Sequence, residues 1–101
     1  MEALRALSAR LDEASATLTT LSHRVTASDP AQVAFGTDAP GRPGEIGRAL
    51  HRQWVAATDD RAREARAAAH RLASAAAAIR EAADRYSDVD RAARRRISGE
   101  R

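Results

Sequence analysis

Arg66-Ala-Ala-Ala-His-Arg-Leu-Ala-Ser-Ala-Ala-Ala-Ala-Ile-Arg-Glu-Ala-Ala-Asp-Arg-Tyr-Ser-Asp-Val-Asp90 is the stretch that decides the fold. It contains neither Gly nor Pro and is dominated by Ala, the residue of highest intrinsic helix propensity, so it predicts one unbroken helix. Its larger apolar residues, Leu72, Ile79 and Tyr86, recur every seven positions, with Ala93 next and alanines or Val89 between them. That spacing puts them on one face of a helix. Tyr86 and Asp90 stand four apart and project from the same side, where a partner can read them together.

Working outward toward the amino terminus, Leu4, Leu7, Leu11, Ala14, Leu18, Leu21 and Val25 alternate at three and four residues. This is a heptad pattern and predicts a first helix over about residues 2–27, with Arg, Asp, Glu, Ser and Thr on its other faces. Asp29-Pro30 ends it, because proline lacks an amide hydrogen and pushes the preceding residue out of helical geometry. Residues 28–44, with Pro30, Gly36, Pro40, Gly41, Pro43 and Gly44, read as an irregular connection. Val33 and Phe35 are expected to fold back onto the helices, and Gly36 to supply a positive φ.

A second helix is expected over about residues 45–97, with Glu45 in its first turn and Ile46, Leu50, Trp54 and Ala57 opening its stripe. Acid-first pairs at four-residue spacing, Asp59/Arg63, Glu81/Arg85 and Asp90/Arg94, favour the helical state. Thr58-Asp59-Asp60 could cap a new helix there and turn the hairpin into three helices. The two lengths, about 25 and about 50 residues at ~1.5 Å per residue, leave roughly 35 Å of the second helix uncovered. That overhang would carry Leu72, Ile79, Tyr86 and Ile97, so a second chain is expected as cover.

Composition agrees with a chain that needs help to bury a core. Of 44 hydrophobic residues in 101, 26 are Ala, which leaves 18 larger side chains. Burying each contributes roughly 1.5–3 kcal/mol against an ordering cost of about 1.5 kcal/mol per residue. With no Cys, disulfide scaffolds and thiolate metal sites are excluded. All 17 basic residues are Arg, and 14 acids reduce the net charge to +3. No apolar run is long enough to span a bilayer, and the amino-terminal residues do not form a secretory signal.

Little in the chain suggests chemistry. His23, His51 and His70 lack metal-ligand spacing, the carboxylates read as solvated helix faces, and Gly41-Arg-Pro-Gly44 lacks the lysine of a phosphate loop. No catalytic, cofactor-binding or metal site is expected, and the chain reads as a non-enzyme. Arg91, Arg94, Arg95 and Arg96 form one charge cluster, which suits the carboxyl end of a helix. Without interleaved aromatics it does not predict nucleic-acid binding.

A short heptad helix, a loop carrying Val33-Ala-Phe-Gly36, a Trp early in the second helix and Ala-Ala-Asp-Arg-Tyr86-Ser-Asp-Val-Asp90 near its end are similar to features of ESX-like helical hairpins. These belong to actinobacterial type VII secretion, the broad WXG-type group and its excreted virulence factor branch. The resemblance covers nearly the whole chain. It implies export without a cleaved signal peptide, as a folded dimer. It also implies that Tyr86 and Asp90 form a Tyr-x-x-x-Asp element of a composite signal engaged by the membrane-bound secretion ATPase. The loop has Phe35-Gly36 in place of a Trp-x-Gly turn, with Trp54 inside the helix, which points to the looser branch.

The expectation is therefore an all-α, antiparallel two-helix hairpin of residues 1–97 with a short tail, completed to a four-helix bundle by homodimerisation or by pairing with another helical hairpin or a larger secreted effector. Leu4, Leu7, Leu11, Leu18, Leu21, Val25, Leu50, Trp54, Leu72 and Ile79 form the expected partner interface. The expected function is that of an exported substrate or co-exported partner. An intracellular helical adaptor is the alternative, and an Arg-tailed nucleic-acid binder a third reading.

Overall fold

A computed structural model describes residues 2–99 and is all-α: α1 (Glu2–Ala27), a 3-10 turn (Gln32–Phe35) and α2 (Gly41–Ile97). The two helices form an antiparallel hairpin, since contacts move down α2 as they move up α1: Arg5 with Asp84, Asp12 with Arg80, Ser15 with Ala69. The chain packs as two compact units, Met1–Ala16 with Ala69–Arg101, and Thr17–Ala68. α2 runs unbroken through Thr58–Asp60, and the Thr58 hydroxyl donates back to the Val55 carbonyl, so no third helix starts there. Arg63 pairs with Asp60, one turn away, and not with Asp59.

The seam between the helices differs from the one expected. Its fully buried apolar residues are Ala62, Ala69, Ala76 and Ala83, a strict seven-residue repeat, and on α1 Ser8 and Ser22 are buried with Ser15 half-buried between them. Leu4, Leu11, Leu18 and Val25 are half-buried beside these serines, whereas Leu7, Ala14 and Leu21 are exposed. The seven expected heptad residues therefore divide between two faces of α1, and the serines expected on the polar faces lie inside.

The physical reason is distance of approach. Alanine on one helix and serine on the other let the two backbones come close, and the Ser15 hydroxyl reaches across to the Ala69 carbonyl at 2.8 Å. Dispersion contacts spread along such a seam are individually about 0.1–0.2 kcal/mol but numerous. A buried hydroxyl left unpaired costs roughly 1–3 kcal/mol. Here Ser8 donates to the Arg5 carbonyl at 2.8 Å and Ser22 to the Thr19 carbonyl at 2.6 Å, so neither is left unpaired.

The unit Thr17–Ala68 is closed by the connection. After Pro30 the chain makes the 3-10 turn, and Gly36 adopts φ 72°, the left-handed value expected of it. The Phe35 ring stands edge-on to His51 at 5.4 Å and tilted to Trp54 at 6.2 Å. Gly44 and Gly47 are buried, and a Cβ on either would collide with the carbonyl oxygen of Ala39 or Phe35. The loop backbone thus lies directly on the first turns of α2. Arg48 donates to the Thr37 carbonyl at 2.9 Å and holds it there. α2 begins at Gly41, four residues before Glu45. Pro43 is compatible with this early start because the first amides of a helix have no intrahelical partner. At the other end Gly99, φ 77°, closes the helix by donating to the Arg96 carbonyl. The rest of the expected tail, Glu100 and Arg101, lies outside the described residues.

Candidate partner-binding face

Around α1, Arg5 and Asp12 lie on one flank of the seam and Leu7 and Ala14 on the other, each about a quarter-turn away from it. Around α2, Arg80 and Asp84 lie on one flank and Ala82, Tyr86 and Val89 on the other. Arg5 meets Asp84 at 2.9 Å and Asp12 meets Arg80, so the two charged flanks share one side of the first unit. The apolar flanks must then share the opposite side. That side carries a shallow, open depression lined by Ala82, Arg85, Tyr86 and Val89.

In the unit Thr17–Ala68 the same logic leaves Leu21 off the seam, while Ile46, Leu50 and Trp54, four residues apart, form one stripe on α2. Leu7, Leu21, Leu50 and Trp54 are 45%, 47%, 50% and 46% exposed. Trp54 is nonetheless held in place: its Nε1 donates to Asp29 Oδ1 at 3.1 Å, and the Thr58 hydroxyl shares its one proton between the Val55 carbonyl and Asp29 Oδ2 at 3.2 Å. One carboxylate at the end of α1 thereby fixes both a loop end and the orientation of an exposed aromatic. A fixed, half-exposed indole resembles an interface anchor, because little side-chain entropy remains to be lost on binding.

The ten expected interface residues thus separate. Leu4, Leu11, Leu18, Val25, Leu72 and Ile79 are half-buried within the hairpin, while Leu7, Leu21, Leu50 and Trp54 remain available. Leu72 and Ile79 were expected on an overhang. They lie instead in the stretch of α2 between Ala69 and Asp84, alongside residues 5–15 of α1. What remains beyond Asp84 is shorter, and it contains Tyr86, Val89 and Ile97, exposed by 61%, 67% and 88%.

Tyr86 and Asp90 occupy one face of this continuous helix, and Asp90 is ion-paired with Arg94 at 2.9 Å. A companion pair, Asp88 with Arg91 at 3.6 Å, follows the same spacing logic. Such exposed pairs contribute about 0.2–1 kcal/mol each and leave both partners open to exchange. Among the described residues, no group of three or more His, Cys, Asp or Glu could hold a metal ion. No described helix is long and apolar enough to cross a membrane.

Sequence reasoning missed the Ser8/Ser15/Ser22 repeat, the Gly44/Gly47 contact and the Asp29 clasp. The first was visible as a seven-residue spacing matched to that of Ala62, Ala69, Ala76 and Ala83. The other two depend on where the loop returns, which no local pattern states. No family model, curated protein or solved structure matches the chain.

Proposed function

We propose that this chain is a non-enzymatic substrate or co-exported partner of a type VII secretion system, paired through its exposed apolar face and addressed by Tyr86 and Asp90. The observation that carries the reading is the exposure of Tyr86 beside Asp90 on a continuous helix, outside the hairpin's own seam. A recognition element has to be accessible and held in one geometry, and a helix held by α1 up to the Arg5–Asp84 pair offers both. Pairing with a second copy, another helical hairpin or a larger exported effector would cover Leu7 in the first unit and Leu21, Leu50 and Trp54 in the second, and complete a four-helix bundle. The secretion ATPase is the proposed reader of the Tyr86/Asp90 face, and the destination is outside the cell.

The test is the distribution of tagged protein between culture filtrate and cell pellet, with a lysis control, in an actinobacterial host with and without its type VII ATPase. Export that disappears both in Tyr86→Ala and in the ATPase-deficient host is the expected result. Retention of the wild type in the pellet under all conditions would exclude it. The second reading, an intracellular adaptor, is favoured by the immobilised, half-exposed Trp54. It predicts a stable complex with a cellular protein that Trp54→Ala disrupts while Tyr86→Ala leaves it intact.

A further inference from the structure

The turns of α2 beyond Asp84 combine a positive charge excess with exposed apolar side chains. Residues 85–97 hold five arginines and two aspartates, an excess of +3 that equals the net charge of all 101 residues, so the remainder is balanced. The same turns expose Tyr86, Val89 and Ile97. Helical spacing puts Tyr86, Val89, Ala93 and Ile97 on one stripe, and Arg85 and Arg96, eleven residues or about three turns apart, along one edge of it. The other edge holds the Asp90–Arg94 pair, and Arg91 sits on the back with Asp88.

We infer that residues 85–97 form a docking surface for an anionic lipid bilayer, lying in the interfacial plane with Val89, Ala93 and Ile97 toward the acyl chains. Arginines on the rim of an apolar stripe can bury their stems against it while their guanidinium groups reach lipid phosphates. An exposed tyrosine, apolar in body and polar at its tip, suits the headgroup level. Charge complementarity selects an anionic partner, and the exposed aliphatic residues favour a lipid surface over a nucleic acid, whose phosphates offer them nothing to pack against. The surface is peripheral, since no described helix can span a bilayer. It is independent of the export reading and can fail without it.

The experiment is co-sedimentation of the full chain with phosphatidylglycerol-containing vesicles and with neutral phosphatidylcholine vesicles, at several salt concentrations. Binding to anionic vesicles only, weakening as salt rises, is expected. Each rim arginine near the surface is expected to contribute roughly fivefold, so Arg85→Gln/Arg96→Gln should weaken binding by about 25-fold. Arg91→Gln, on the back, should change it by less than about twofold. Val89→Ser/Ile97→Ser should weaken it on the order of tenfold. All these positions are exposed, so circular dichroism should report unchanged helicity. Equal binding to neutral vesicles would overturn the proposal. So would unchanged binding after Val89→Ser/Ile97→Ser, which would indicate attraction to any polyanion.

Discussion

The seam between α1 and α2 and the apolar flank beside it have exchanged the usual residue sizes. Inside are Ala62, Ala69, Ala76, Ala83, Ser8 and Ser22, and outside are Leu7, Leu21, Leu50, Trp54, Tyr86 and Val89. Most small domains put their largest apolar side chains in the interior, because burial scales with apolar area. Here the seam contributes through proximity of backbones and dispersion along its length; Leu4, Leu11, Leu18, Val25, Leu72 and Ile79 border it half-buried, and those outer side chains stay exposed. In each unit the buried seam therefore depends on closeness of backbones, which small residues permit, while large apolar area lies exposed beside it.

The most severe way to break the seam is to enlarge it. Ala76 is completely buried, and Ala76→Leu should cost about 1–3 kcal/mol, lowering the thermal midpoint by roughly 4–8 °C per kcal/mol. Thermal circular dichroism measures it.

The loop sharpens the same point, since it too relies on absent side chains. Gly47→Ala forces the Phe35 carbonyl away, and helix propensity returns about 1 kcal/mol. A net loss of about 1 kcal/mol is expected, with a change in Trp54 fluorescence as Phe35 moves. Asp29→Ala removes the acceptor for Trp54 Nε1 and Thr58. Its cost should be about 1 kcal/mol or less, because the indole can still reach water. Fluorescence anisotropy of Trp54 should fall as the ring gains freedom. Smallest on the monomer's stability is Leu21→Ser on the outer flank, within about 0.5 kcal/mol. In sedimentation velocity the same change should weaken self-association or partner binding severalfold.

Much of this arrangement was legible in the sequence because period is a local property. The Gly-free, Pro-free run after Arg66 and the Leu heptad before Pro30 were sufficient for two antiparallel helices, and Gly36 for the left-handed turn. Which of two adjacent stripes on α1 faces inward was not legible. Leu4, Leu11 and Leu18 resemble Leu7 and Leu21 in every local respect, and only the flat alanine surface of α2 selects the side bearing Ser8, Ser15 and Ser22. The length of α2 left uncovered was overestimated for a related reason. It depends on where the loop returns, and that is set by Gly44, Gly47 and Asp29 through contacts distant in sequence. At the candidate recognition site, the Tyr86/Asp90 spacing was plain, whereas the coincidence of the net charge with the exposed apolar turns needed the hairpin's own contacts to show which turns stay uncovered.

Melting Ala76→Leu and Leu21→Ala side by side over a dilution series separates a residue that holds the hairpin from one exposed beside its seam. Ala76→Leu should lose stability by the same amount at every concentration, and the effect of Leu21→Ala should vanish on dilution to monomer. A tolerated Ala76→Leu, with Leu21→Ala losing the ~2–5 kcal/mol typical of a core leucine at every concentration, would contradict that separation.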